Sequence, residues 1–217
     1  HIIQFIGFIS VHEICFIFSE EIQNWGISAL EFRNFIYFLV ACFFWIMMMI
    51  GDITRIECFK CLPKWAVKWY ETSLEYKRER WSLNGVTPIL LSNFIWIYPN
   101  IPQQVFFSAA WVSCVGDALT SIIGKNFGNH KWKGVIKHNH KTIEGTFGGV
   151  LISIIGVLGI FYFYPIKNVT IYFYLIILIG VGGLFFYIDI LSKYIIDNLL
   201  NSILIGSYVY GCFLLFQ

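Results

Sequence analysis

The sequence predicts an all-α fold: a polytopic transmembrane helical bundle of six to seven spans, about seven in the fullest count, with an amphipathic helix at the membrane interface. Three observations predict it. Of the 217 residues, 58% are hydrophobic and 13% charged, against roughly 25% charged in an ordinary soluble domain, so a soluble core lacks the polar shell to cover it. The same balance excludes disorder, which needs low hydrophobicity and high charge. Apolar segments such as 151–164 and 171–187 run on without the alternating strands of about ten residues that a membrane barrel requires. The third observation is an uneven placement of the basic residues.

Spans are expected at 2–18, 34–50, 86–98, 103–123, 146–164, 170–188 and 199–216, each near the roughly 20 residues that cross a bilayer. The first carries His12 and Glu13, and the third is short. His1 stands directly in an apolar run, so residues 1–217 are expected to form one integral membrane domain incomplete at its N-terminus. The basic loop 51–85 holds Arg55, Lys60, Lys64, Lys68, Lys77, Arg78 and Arg80, and the basic loop 125–145 holds Lys125, Lys131, Lys133, Lys137 and Lys141. Two spans separate the loops, so both lie on one side, and Lys193 joins them. Only Arg33 and Lys167 fall opposite, with Glu20, Glu21 and Glu31. Thirteen of the 15 basic residues thus share one face, which the positive-inside rule makes cytoplasmic.

Residues 63–80 read as the interfacial helix. Pro63 suits a first turn, and Trp65, Trp69, Thr72 and Tyr76 recur every three to four residues beside a stripe of Lys64, Lys68, Glu71, Glu75 and Glu79. Of six cysteines, Cys15, Cys42, Cys114 and Cys212 fall in spans, and Cys58 and Cys61 make one C-x-x-C without the second ligand pair a zinc site wants. His130, His138 and His140 share a loop with five lysines and read as a solvated basic surface that can also meet phosphate.

The chemistry concentrates after Val115. Asp117 falls inside a span, where an ionised carboxylate is expensive and marks a functional cavity. Gly124 and Gly128 strip side chains from the same helix end, allowing backbone amides to approach an anion, although small residues four apart also pack membrane helices. Lys125 and Lys141 supply the charge a triphosphate needs, Thr142 a hydroxyl and Glu144 a carboxylate, with Gly145 keeping the entrance open. Thr142 and Thr146 serve equally well as caps. Asp197 and Asn198, preceded by Asp189, stand where the last span begins. Asp117, Lys141, Glu144 and Asp197 are expected near one face, an arrangement suited to metal-assisted phosphoryl transfer.

At these residues the sequence resembles the polyprenol kinase family: dolichol kinases, phytol kinases and CTP-dependent diacylglycerol kinases. The resemblance rests on Gly116-Asp117, then Ser121-Ile122-Ile123-Gly124 with Gly128, then Lys141-Thr142-Ile143-Glu144-Gly145, then Asp197-Asn198-Leu199. Asp52-Ile53-Thr54-Arg55 and Arg80-Trp81-Ser82-Leu83-Asn84-Gly85 are similar to the family's upstream motifs. Residues 133–140 make a longer insertion than the family pattern has, and Ser202 stands where proline is common. The resemblance implies CTP as phosphoryl donor, magnesium or another divalent cation, and a membrane lipid alcohol as acceptor: dolichol or another polyprenol, phytol, or diacylglycerol.

The expected function is therefore a CTP-dependent lipid-alcohol kinase, a phosphotransferase. Asp117, Lys141 and Glu144 are its catalytic residues, and Gly124, Lys125, Gly128, Lys141, Thr142 and Gly145 form its nucleotide site. Asp117, Asp197 and Asn198 are its metal ligands. Its partners are the bilayer, the lipid alcohol and the nucleotide, with no nucleic-acid polymer. Its place is the endoplasmic reticulum membrane in a eukaryote, or the inner or plasma membrane in a prokaryote, with the site on the cytoplasmic face. Two alternatives are a phosphatidate cytidylyltransferase-like enzyme making a CDP-lipid, and a transporter, since intramembrane Asp also marks transport pathways.

Overall fold

A computed structural model describes residues 2–56, 63–65, 68, 95–97, 101–132, 141–166, 169–191 and 197–216; at 44, 45, 47–49, 51–56, 191, 197 and 198 it describes the backbone alone. These residues are mostly helical, and among them the one bridged pair, Lys131 with Thr142, belongs to no strand. The helices are α1 (Ile2–Ile17), α2 (Ser19–Asn24), α3 (Ala29–Ile56), α4 (Gln103–Trp111), α5 (Asp117–Phe127), α6 (Ile143–Phe163), α7 (Ile171–Leu191) and α8 (Asp197–Phe216). A π-helical turn, Val112–Gly116, joins α4 to α5 in one continuous rod, and a 3₁₀ turn lies at Ile95–Ile97.

Four described helices are long and apolar enough to cross a membrane: Gln103–Phe127, Ile143–Phe163, Ile171–Ile190 and Leu199–Phe216. These match the expected fourth to seventh spans, with the fourth running on to Phe127. Helix α1 is shorter, at 16 residues. Helix α3 begins five residues before the expected span and ends six after it, for 28 residues in all. Most of the expected 86–98 span and of the 63–80 interfacial helix lies outside the described residues.

Where α5 and α6 cross, the facing residues are small. On α6 the buried face is Gly145, Thr146, Gly149, Ser153, Gly156, Val157, Ile160 and Phe161, while Phe147, Leu151, Ile155, Tyr162 and Phe163 are exposed. Lipid tails solvate large apolar side chains as well as a protein interior does, so helix association comes from close packing of small residues. The α5 row of Gly116, Thr120 and Gly124 meets the α6 row of Gly145, Gly149 and Ser153. A Cβ at Gly145 would lie 3.0 Å from Gly124 Cα, one at Gly149 would lie 1.9 Å from Thr120 Oγ1, and one at Gly116 would lie 2.8 Å from Ser153 Oγ.

One device recurs three times. Trp111 seats its ring on Gly156 and donates its indole N–H to the carbonyl of Ile152 at 3.0 Å. Trp96 seats on Gly206 and donates to the carbonyl of Ser202 at 3.0 Å, and Tyr208 seats on Gly180 and donates to the carbonyl of Ile176 at 2.8 Å. In each case the acceptor stands one helical turn before the glycine. The missing side chain lets the ring reach the backbone, whose second lone pair satisfies a donor that hydrocarbon cannot. These seats fix α4 to α6, the 95–97 turn to α8, and α8 to α7.

The π turn lies at the centre of the assembly, with all five of its residues buried and with α1, α6 and α8 packed on it. Around it the core is aromatic and β-branched, with Phe106, Phe107, Val112, Phe173, Val181 and Phe185 each 2% exposed or less.

Candidate phosphate-handling site at the Lys141 end

The last turn of α5 and the first turn of α6 converge at one end of the bundle, because the segment between them is closed at its base. Lys131 bridges Thr142 in antiparallel fashion, Ile143 N–H donates to the His130 carbonyl at 2.8 Å, and Trp132 N–H donates to the Lys141 carbonyl at 3.3 Å. Thr142 is the N-cap of α6: its Oγ1 accepts from Gly145 N–H at 3.2 Å. Gly128, Gly124 and Gly145 all crowd around that Thr142 side chain, which would meet a Cβ at any of the three within 2.9 Å. These glycines therefore shape a close helix crossing around the cap, the packing role that their four-residue spacing also allowed.

Lys141 reaches inward. Its Nζ lies 2.6 Å from Asp189 Oδ1, and the two side chains are 29% and 2% exposed. The other oxygen, Asp189 Oδ2, accepts the Thr146 hydroxyl at 2.5 Å, and Thr146 Oγ1 in turn accepts Trp132 Nε1–H at 3.1 Å. Three segments are thereby tied to one buried carboxylate: the first turn of α6, Lys141 two residues before that helix, and Trp132 beyond the end of α5. Asp189 was set beside the Asp197-Asn198 pair in the sequence and given no role. The signal was available, because the rule that singled out Asp117, a carboxylate at the margin of an apolar helix, applies equally to Asp189.

Glu144 is engaged elsewhere. Its oxygens accept His130 N–H at 3.1 and 3.2 Å, and its Oε1 lies 2.6 Å from His130 Nδ1. It therefore ties the turn after α5 to the first turn of α6, and its oxygens face the protein's own loop. Lys125 is exposed on the last turn of α5.

Asp117 lies deeper than the others. It opens α5 directly after the π turn and is partly buried. Gly124, at the level of the Thr142 cap, is seven residues further on, or about 10 Å along the helix axis. The expectation that Asp117, Lys141 and Glu144 share one depth is thus corrected: Lys141 and Glu144 flank the end of the bundle, and Asp117 sits about two turns inside. The cause is that α5 and α6 run antiparallel from the cap, so residues before Gly124 recede into the membrane as fast as residues after Gly145 do. Beside Asp117, at the level of Gly116, the buried Ser153 hydroxyl of α6 has no hydrogen-bond partner among the described residues. Asp197 and Asn198 open α8, and their side chains lie outside the described residues.

No protein-family model matches the chain, no curated protein matches it, and no solved structure matches it.

Proposed function

We propose that the protein is a membrane-embedded lipid-alcohol kinase that uses CTP, acting at the Lys141 end of the bundle. The observation that carries the reading is a lysine at the membrane edge, backed by a buried carboxylate and standing at the capped N-terminus of α6, within the ordered motifs that resemble polyprenol kinases. A helix N-terminus and a fixed ammonium together favour the phosphates of a nucleotide. Lys141, with Lys125 on the facing helix end, neutralises donor phosphates. The lipid enters laterally, keeps its tail in hydrocarbon and presents its hydroxyl inward of Lys141, at the depth of Asp117. Since Glu144 is held by His130, orientation of that hydroxyl falls to Asp117. Catalysis is then positioning and charge stabilisation.

Among the described residues no three His, Cys, Asp or Glu side chains gather as a metal site. Magnesium asks for less: one or two carboxylates, with waters and substrate phosphates completing the shell. The donor chemistry of Asp117, Asp197 and Asn198 suits it, and when bound it would neutralise charge on the transferred phosphoryl group. The basic-face asymmetry supports a cytoplasmic site, in the endoplasmic reticulum membrane of a eukaryote or the inner or plasma membrane of a prokaryote.

The test is transfer of labelled γ-phosphate from CTP, with magnesium, to a panel of dolichol, phytol and diacylglycerol in nanodiscs. Labelled lipid with CDP released is the expected result. With phosphatidate as a further acceptor, pyrophosphate release and a CDP-lipid product would replace the kinase by a cytidylyltransferase, and no product with any of the four acceptors would sink both. A transporter is the second reading, favoured by one observation: Asp117 adjoins a buried π turn against which Ser153 sets a hydroxyl with no hydrogen-bond partner among the described residues. It requires a cysteine at position 117 to be labelled from both sides of the membrane, whereas the kinase requires labelling from the Lys141 side alone.

A further inference from the structure

Two groups of charged side chains are buried among the described residues, one around Arg33 and one around Lys141. We infer that Asp189 is the positioning residue for Lys141: it fixes the ammonium at the end of the bundle, and it does so from a helix that the motifs do not include. The inference rests on the phosphate-handling reading above and deepens it.

The argument starts from burial. A carboxylate that is 2% exposed is stable only when paired and hydrogen-bonded. Asp189 has both, with Lys141 on one oxygen and Thr146 on the other. Thr146 Oγ1 accepts from Trp132 Nε1–H and can donate to the Thr142 carbonyl at 3.1 Å or to Asp189 Oδ2 at 2.5 Å, of which the shorter, charge-assisted bond to Asp189 is the stronger. The carboxylate is thus fixed by a second group that does not depend on Lys141. A fixed carboxylate is what a lysine needs, since its flexible stem otherwise spreads the charge over many rotamers. Asp189 lies behind the ammonium, on the bundle side, while Lys141 keeps 29% of its side chain exposed. An anion arriving from the aqueous side therefore meets an oriented, paired cation. Asp189 does not itself contact the phosphate in this arrangement, which is why it is a positioning and not a catalytic residue.

The experiment is a double-mutant cycle on nucleotide kinetics joined to a reactivity measurement on Lys141. Asp189→Asn keeps the shape and is expected to raise KM for CTP by ~10-fold or more with a smaller effect on kcat. Lys141→Ala costs more, and the double variant is expected to match Lys141→Ala within about threefold, because Asp189 acts through the lysine. Losses that multiply instead would overturn the inference. Trace acetylation of the wild-type protein in nanodiscs, read at Lys141 by mass spectrometry, supplies a readout independent of activity. Asp189→Asn is expected to raise Lys141 acetylation several-fold, since the amine loses the 2.6 Å contact that holds it against the bundle. Thr146→Val is expected to raise it less. Unchanged Lys141 reactivity would overturn the inference even in an active enzyme. Increased reactivity in a protein that transfers no phosphate would support the pairing and reject the kinase reading, so the two failures are distinct. Should Asp189→Asn fold poorly, Lys141→Met with Asp189→Leu replaces the pair by apolar side chains of similar size. Recovery of fold with loss of CTP-dependent kinetics supports positioning, and recovery of both contradicts it.

Discussion

The two ends of the bundle each bury a charged group, and they do so differently. At the Lys141 end the cation is paired with Asp189 and stays 29% exposed. At the other end Arg33 is 4% exposed and its described partners are neutral. Its Nε and Nη2 donate to Asn34 Oδ1 at 3.1 and 2.7 Å, and its Nη1 donates to Gln103 Oε1 at 3.4 Å and lies 3.1 Å from His12 Nδ1. Its guanidinium also stands over the Tyr37 ring. The nearby carboxylate of Glu13 takes the Tyr164 hydroxyl at 2.5 Å instead. Arg33 thus joins α1, α3 and α4 with donors directed inward, as a clasp. Lys141 leaves part of its charge toward solvent, as a site would. Residues of one charge class do opposite work, and what separates them is whether the charge is spent inside the protein.

Exchanging the losses breaks or sustains that contrast. Lys141→Ala combined with Asp189→Asn, which leaves no buried carboxylate unpaired, is expected to reduce CTP-dependent transfer by ~10²–10³-fold, the cost typical of removing a preorganised electrostatic contact, with little change in thermal unfolding. Arg33→Ala should do the reverse, destabilising the fold by about 2–4 kcal/mol through the loss of a hydrogen-bonded buried charge while leaving activity per folded molecule near wild type. Equal effects of both on unfolding would erase the distinction.

A smaller effect separates packing from charge. Gly156→Ala places a methyl 1.8 Å from Trp111 Nε1, and is expected to cost about 1–3 kcal/mol by overpacking the ring seat. Pairing it with Trp111→Phe should recover part of the loss. No recovery would mean that the seat is not what the glycine is for.

The smallest effect belongs to the entry of α3. Ser28 Oγ accepts Glu31 N–H at 3.2 Å while Glu31 Oε2 accepts Ser28 N–H at 2.9 Å and the Ser28 hydroxyl at 2.6 Å, a reciprocal capping box. Those bonds hold the Glu31 carboxyl below its ordinary value. A group depressed in the folded state adds stability above its unfolded value and loses it as pH falls through the folded one. Acidification through the carboxylate range should therefore fray the start of α3 in wild type, and Glu31→Gln should remove that pH dependence. Amide exchange at 29–33 measures it.

Much of the fold was legible because membranes impose length and hydropathy on helices: the expected spans at 103–123, 146–164, 170–188 and 199–216 each fall on a described helix of spanning length. Thr142 was legible as a cap, and the glycine row as a packing surface. Arg33 was not legible as buried: with Glu31 two residues before it and Asn34 next, it reads as a loop residue, and only the contacts with His12 and Gln103 from distant segments draw it inside. Asp117 and Lys141 were found by residue type, but their depths depend on where α5 and α6 cross, which no spacing states. The π turn arises from packing of α1, α6 and α8 on Val112–Gly116, and the local sequence carries no mark of it. Asp189 was legible as an intramembrane carboxylate, and its partner was not, since Lys141 and Asp189 are 48 residues apart.

The central claim is that the Lys141 end receives a phosphate-bearing ligand and the Arg33 end does not. Acetylation of wild-type protein in nanodiscs, with and without CTP and magnesium, tests it at a single residue. The account predicts selective protection of Lys141 by the nucleotide, with the exposed Lys64 and Lys68 labelled equally in both samples. Identical labelling of Lys141 with and without saturating CTP would contradict it.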